Sequence, residues 1–331
     1  MDIDFVIMWV DGSDPAWLAE KKKYTPTEEA DDRDERYRDW NLLKYWFRGV
    51  EKYAPWVRKI HFVTWGHVPS WLDTDNDKLH IVKHEDFIPE EVRPLFNSSS
   101  IECHLHKIPD LAEHFVLFND DFFITNKLEE KDFFRKGLPC DLLAFQPVIA
   151  NPDNPVMSHM LLNDSIIISK HFKKRENVWK HPGNYFHIGY PPLYFFYNLL
   201  ELFFDRYTGF YTVHGPSPFL KESFEDLWSV EKEALASAGA NRFRCTGDIN
   251  QYVFREWQKQ KGDFVPFNSA GIIKYFEVGD QNAGLIKSIR NRKRKVVVIN
   301  DTGKVSDVDK VSQEIAEAFE SIYPDKSSYE K

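Results

Sequence analysis

The chain has 331 residues and a formal charge of −9, from 43 Lys and Arg against 52 Asp and Glu, so it has no general electrostatic reason to bind nucleic acid. Hydrophobic residues make up 42% and aromatics 15%, ample for the core of one large α/β domain or two smaller ones. Cys103, Cys140 and Cys245 are few, far apart and odd in number, which excludes a disulfide framework or zinc knuckle and fits a reducing cytoplasm.

The N-terminus opens Met1-Asp2-Ile3-Asp4, acidic where a signal peptide is basic. Residues 5–10 read as a strand, stopped by the turn cluster Asp11-Gly12-Ser13-Asp14-Pro15. The charged stretch 21–38 predicts a solvated excursion off the core. Leu42, Leu43, Trp46, Phe47 and Val50 recur at helical spacing and predict a helix over 39–53, ended by Pro55. Strands follow at 59–64 and 79–82, then a Ser-rich segment at 98–111. A fourth strand at 115–118 runs straight into Asn119-Asp120-Asp121. Beyond residue 150 helices dominate, at 192–204, 218–238 and 249–260. A late strand at 295–299 ends in Asn300-Asp301, and a charged amphipathic helix and frayed tail follow Lys304.

Strand and helix alternation predicts a mostly parallel sheet with helices on its faces. A helical insertion, about 190–262, between early and late strands of one sheet is more economical than two independent domains. The greasy stretch 191–204 is broken by Asn198 and Glu201, too short and too polar to span a bilayer. It reads as a core helix, with a surface leaning on a membrane or acceptor as the alternative.

Acids end three predicted strands: Asp11, the pair Asp120 and Asp121, and Asp301. Each alone could start a turn or cap a helix. Together, on parallel strands, they would converge on the edge where open α/β sheets bind ligands. Adjacent carboxylates repel unless a proton or cation intervenes, and a divalent metal holding a phosphate resolves this. Asn97-Ser98-Ser99-Ser100-Ile101-Glu102-Cys103-His104-Leu105-His106 reads as a capped helix with Glu102 and His106 on one face, or as a phosphate-binding N-terminus. His214, in the turn Val213-His214-Gly215-Pro216, is a candidate general base or a bystander. Arg244 precedes a helix start with Thr246 or Asp248 as cap, and is a phosphate clamp or a surface ion pair. Trp9, Trp40, Trp46, Trp56, Trp65 and Trp71 are core by default, with one or two free to stack on a sugar or base.

These motifs resemble the Stealth family. Ile3 to Pro15 resembles its first conserved region. Arg38-Asp39, Ala54-Pro55-Trp56-Val57-Arg58, Val63-Thr64-Trp65-Gly66, Pro69-Ser70-Trp71-Leu72, Ser98 to His106 and Phe118-Asn119-Asp120-Asp121 resemble the second. His214-Gly215-Pro216 with Arg244 to Asp248 is similar to the third, and Ile299-Asn300-Asp301 to the short fourth. The matches are in order and span nearly the whole chain. Stealth proteins are sugar-1-phosphate transferases of bacterial capsules and cell walls, together with the animal lysosomal-enzyme N-acetylglucosamine-1-phosphotransferase. Asp11 stands where the animal enzyme carries Asn, and that enzyme's long insertions have no counterpart here, nor therefore does protein-acceptor recognition.

The resemblance implies a Rossmann-like core of the nucleotide-sugar transferase type, filling 1–304 as one catalytic domain before a C-terminal helix and tail at 305–331. It implies a UDP-sugar donor, magnesium or manganese, and an oligosaccharide or polysaccharide acceptor. Asp121 and Asp301, with Asp120, are then the metal ligands. Arg244 neutralises the transferred phosphoryl group and His214 takes the acceptor proton. Asp11, Gly12 and Arg38 contact the nucleotide, and Asn300 orients a phosphate or ligand. The location expected is cytoplasmic, peripheral to the inner face of the bacterial membrane. A metal-dependent glycosyltransferase releasing UDP and a non-catalytic polysaccharide-binding protein are the competing readings.

Overall fold

Residues Ile3 to Ile7, apolar except for Asp4, are buried at every position, as a strand covered by helices on both faces requires. The structure, a computed structural model, describes residues 1–25 and 37–331. Its strands are β1 (Ile3–Met8), β2 (Ile60–Thr64), β3 (Leu79–Lys83), β4 (His114–Asn119), β5 (Phe122–Ile124), β6 (Phe134–Arg135), β7 (Leu138–Asp141), β8 (Ser217–Leu220), β9 (Val265–Pro266), β10 (Ile273–Val278) and β11 (Val296–Asp301).

Among the described residues the main sheet has the order β3-β2-β1-β4-β8. Its first four strands are parallel and β8 is antiparallel at the edge. The order reverses at β1, so the crevice beyond the carboxyl ends of β1 and β4 is the topological switch point. Met8 pairs with Asn119, which sets the exit of β1 beside that of β4.

The late strand departs from expectation. β11 lies not in the main sheet but in a small sheet of order β10-β11-β5. The turn Asp120-Asp121 joins β4 to β5, and β5 runs antiparallel to β11 with Phe122 opposite Val298. The carboxyl end of β11 therefore still reaches the crevice, by a hairpin and not by parallel alignment.

The helix Leu43–Tyr53 buries Tyr45, Trp46, Phe47 and Val50, and the helix Val308–Glu320 buries Val311, Ile315, Ala318 and Phe319 in the same core. The tail is not frayed: Tyr329 is buried, and Glu330 takes a two-pronged ion pair from Arg48 at 2.7 and 2.8 Å. Nor is 21–38 wholly solvated, because Pro15–Tyr24 is a helix whose Lys21 is buried 4.1 Å over the Tyr37 ring. Residues 26–36 of that stretch lie outside the described residues. The predicted helix at 218–238 splits into strand β8 and the helices Lys221–Val230 and Lys232–Ala238. Pro218 is tolerated in β8 because the strand is at an edge. The expected core helix, Pro192–Glu201, presents its apolar side outward. No helix among the described residues is long and apolar enough to cross a membrane.

The Ser98–Glu102 helix ends too early for Glu102 and His106 to share a face. His104 and His106 are buried instead, where His104 Nε2 meets Gly239 O at 3.1 Å and His106 stacks on Phe224. Burial pushes them down to about 4 and about 3, against ~6.5 for an unfolded imidazole. Between those values the unfolded chain binds more protons, so stability is complete above the unfolded pKa and is lost as pH falls through the folded ones. Urea unfolding from neutral pH to pH ~4.5 should show stability falling, by up to about 1.4 kcal/mol per pH unit for each imidazole. His106→Phe should flatten part of that slope.

Candidate active site

β1 leaves the sheet through Asp11, whose Oδ1 accepts from the Ser13 backbone N–H at 2.8 Å and the Ser13 hydroxyl at 2.6 Å. A Cβ on Gly12 would lie 2.1 Å from the Tyr37 carbonyl oxygen, so glycine lets the chain at Tyr37 cross this turn. Asp14 caps the next helix by accepting from the Trp17 N–H at 2.7 Å. That fixes Trp17 against Tyr37 and Phe96, with ring centroids 5.0 and 5.7 Å apart.

These rings, with Trp9, Trp65, Ser98, Asn119, Asp120 and Arg244, line a partly open cleft whose aromatic walls and few convergent polar groups are the composition of a small-molecule site. A second hollow beside it is lined by Asp11, Gly12, Ser13, Lys21, Arg38 and Asp39 among others.

At the exit of β4, Asp120 keeps solvent contact yet is enclosed by protein on the cleft floor. That enclosure, with the charges of Asp121 and Asp39, pushes it up to about 8. Asp121 Oδ2 lies 3.3 Å from His214 Nε2. His214 Nδ1 lies 3.1 Å from the Tyr252 hydroxyl, and its ring packs edge-on against Phe122. Asp121 Oδ1 and Asn119 Oδ1 are buried without a hydrogen-bond partner.

Asp301 reaches the same edge. The Ile299 N–H donates to the Asp121 carbonyl at 2.9 Å, two residues before it on β11. Asp301 accepts from Arg38 at 2.8 Å, Trp40 Nε1 at 3.2 Å and the Gly303 N–H at 2.8 Å. Here it anchors Arg38 across the crevice. Asn300, between Ile299 and Asp301, interacts with the Tyr275 hydroxyl.

Arg244 Nη2 donates to the Ser98 hydroxyl at 2.7 Å. Its loop is tied down by buried Asp248, which accepts from Asn97 Nδ2 at 2.9 Å and Asn241 Nδ2 at 2.8 Å. Asp248 thus locks two loops together, while the cap of the helix Gln251–Lys261 is Asn250, not Thr246 or Asp248.

Two crowded carboxylates, one with an unsatisfied oxygen, beside the unsatisfied Asn119 Oδ1 suit a divalent cation. Among the described residues no three His, Cys, Asp or Glu form a cage. Magnesium does not demand one, since it keeps several waters and binds through one or two carboxylates plus substrate phosphates. The donor set therefore fits.

Tyr252 escaped the sequence reading, while Asn119 and Glu102 were named there within motifs but given no role beside His214. Tyr252 holds His214 from the first turn of a helix, positioned by the Asn250 cap that accepts its N–H at 2.9 Å. Asn119 supplies an orphan oxygen. Glu102, pushed up to about 7 by burial and partly offset by the Gln251 N–H, Arg244 and His214, lies behind the site and accepts from Gln251 at 2.9 Å. An Asn cap on a predicted helix was the available signal for Tyr252.

A doubly wound parallel sheet whose switch point opens on carboxylates, an arginine and a histidine defines a Rossmann-like α/β protein with an acid-lined binding crevice. Residues 1–29 match the model for Stealth protein conserved region 1, and residues 36–140 that for conserved region 2. Capsular polysaccharide phosphotransferase WcwK of Streptococcus pneumoniae is 38% identical over 336 residues, covering 100% of this chain and 99% of its own. Receptor polysaccharide phosphotransferase WefC of Streptococcus gordonii is 36% identical, covering 99% and 98%. Exopolysaccharide phosphotransferase cps2G of Lactiplantibacillus plantarum is 34% identical, covering 100% and 96%. The chain belongs to the Stealth family of polysaccharide phosphotransferases. Asp11 and Gly12 fall in the first matched region; Arg38, Glu102, Asn119, Asp120 and Asp121 fall in the second.

Proposed function

We propose that this enzyme transfers a hexose-1-phosphate from a UDP-sugar to a hydroxyl of a capsular or cell-wall polysaccharide, forming a phosphodiester and releasing UMP. The supporting observation is the meeting of Asp121, Asp120, His214 and Arg244 at the switch point, beside an aromatic-walled cleft. Trp17, Tyr37 and Phe96 offer stacking faces for the base, and Asp11, Gly12 and Arg38 line the adjoining hollow for the rest of the nucleotide.

Asp121 and Asp120, with Asp301 beside them, would hold magnesium or manganese, which neutralises diphosphate charge when bound. The acceptor oxygen attacks the β-phosphorus, the new O–P bond forms, and the bond from the β-phosphorus to the bridging oxygen breaks. UMP departs with that electron pair. Arg244 offsets charge on the equatorial oxygens, and positioning supplies most of the barrier reduction.

His214 Nε2 takes the hydroxyl proton. In the resting geometry Nε2–H donates to Asp121 and the Tyr252 hydroxyl donates to Nδ1. Accepting at Nε2 requires the other tautomer, in which Nδ1–H donates to Tyr252 Oη; a hydroxyl serves both roles. Tyr252→Phe keeps the ring and loses that support. A hydrogen bond to a charged group at the low end, about 1.5 kcal/mol, corresponds to a roughly tenfold fall in kcat, with a shifted acidic limb in the pH profile, where a general base becomes protonated. An unchanged profile would remove Tyr252 from the proton path.

The enzyme would work in the cytoplasm, against the inner face of the membrane. Incubation with a panel of UDP-sugars, magnesium and oligosaccharide acceptors, with the released nucleotide resolved by chromatography, tests the reading. UMP is expected; UDP would mean glycosyl transfer, and no turnover with no rise in melting temperature from nucleotide or magnesium would mean a non-catalytic polysaccharide-binding protein.

A further inference from the structure

The helix Pro192–Glu201 is built inside out. Its polar residues face the protein. Asn198 is buried, accepting from the Phe145 N–H at 2.7 Å and donating to Tyr185 O at 2.6 Å. Glu201 is buried against Lys174 Nζ at 2.6 Å and the Thr208 hydroxyl at 2.6 Å. Its apolar residues face out: Leu193 and Phe196 are each 54% exposed, and beyond its end Phe203 is 81% exposed. Trp179 at 69% and Ile188 at 99% lie on neighbouring elements, the latter's loop joined to the helix by the Phe186–Phe195 ring contact at 5.0 Å.

Large exposed apolar faces mark interaction sites. Here the surrounding charge identifies the partner. Residues 170–210 carry six Lys or Arg against three Asp or Glu, in a chain of net charge −9. Arg175 with Asp205, and Lys173 with Glu176, are exposed pairs that exchange partners at little cost. Exposed Phe, Leu and Trp beside Lys and Arg is the composition of a helix lying in a membrane interface, and its 10 residues cannot span one.

We propose that this face docks on an anionic phospholipid bilayer, with Phe196 and Phe203 entering the acyl boundary and Arg175, Lys180 and Arg206 meeting headgroup phosphates. The inner side of the helix packs Tyr194 on Tyr211, ring centroids 4.6 Å apart, three residues before His214. Docking therefore holds the catalytic cleft near the membrane surface, where a growing acceptor chain is presented. The proposal deepens the membrane-peripheral placement above and rests on it, but not on the transfer chemistry.

The test is sedimentation of the full chain with vesicles of phosphatidylcholine alone and of phosphatidylcholine with phosphatidylglycerol in equal parts. The wild type should bind the anionic vesicles ~10-fold or more tightly than the neutral ones. Phe196→Ser with Phe203→Ser should weaken that binding by at least ~10-fold, and Arg175→Glu with Lys180→Glu should erase the preference for anionic lipid. All variants should keep the wild-type melting temperature and release UMP normally with a soluble oligosaccharide acceptor. A wild type that ignores anionic vesicles, or a double Phe variant that binds them unchanged, overturns the proposal. So does a wild-type dimer that the double Phe variant splits without any vesicle binding, which would make the face a contact between copies. Vesicle binding without UMP release supports the docking face and strikes the transfer reading alone.

Discussion

Asp121→Ala should keep the wild-type melting temperature and lose on the order of 10³-fold in turnover. Asp121 Oδ2 meets partly exposed His214 Nε2 at 3.3 Å, a contact of the site and not of the core. The backbone carbonyl that accepts from Ile299 remains, and Oδ1 makes no hydrogen bond. Its removal also relieves Asp120, whose carboxyl Asp121 helps to push up to about 8. Melting should therefore hold or rise slightly while activity collapses, the opposite of a structural aspartate. Turnover within ~10-fold of wild type would show that neither cation binding nor His214 depends on it. A fall in melting temperature matching the loss of activity would assign Asp121 to the fold.

Arg255→Met should cost about 3–5 kcal/mol, because it leaves the buried Asp141 carboxylate facing the more distant Lys259 Nζ, 3.9 Å away, in place of its hydrogen-bonded guanidinium. Arg255 and Asp141 are 1% and 0% exposed as side chains. Arg255 Nη2 donates to Asp141 Oδ1 at 2.6 Å and Nη1 to Val213 O at 2.8 Å. For a chain of this size that loss lowers the melting temperature by ~4–7 °C. The Val213 contact also holds the segment that delivers His214, so residual activity should fall beyond what the unfolded fraction explains. Asp141→Leu combined with Arg255→Met should recover much of the stability, since an apolar pair carries no desolvation penalty. Urea unfolding of the three variants measures this. A single-variant loss below ~1 kcal/mol would mean that water reaches the pair.

The early strands were legible because β1, β2 and β4 are apolar runs closed by turn residues, and burial on both faces writes itself directly into sequence. The placement of Asp11, Asp121 and Asp301 at or just beyond strand ends was legible in the sequence, though β11 proved to lie in a different sheet. Three residues of β5, Phe122 to Ile124, are too few to announce a strand, so the hairpin that carries Asp121 across to β11 left no periodic trace. Asp301 read as a metal ligand with no hint of an ion pair, because its pairing with Arg38 spans most of the chain and no local pattern encodes it. The helix at 192–201 misled for a physical reason. Hydrophobic spacing gives the direction of an apolar face but not what covers it, and here Asn198 and Glu201 make the inward contacts. The family likeness supplied roles for His214 and Arg244 that their local sequence left open.

The most direct measurement follows one phosphorus atom. Incubation with UDP-sugar labelled at the β-phosphate, magnesium and an oligosaccharide acceptor should carry the label into the acceptor product, with unlabelled UMP released. Label that leaves with UDP, and a product free of phosphorus, would mean that the sugar C1–O bond breaks instead and that the crevice catalyses glycosyl transfer.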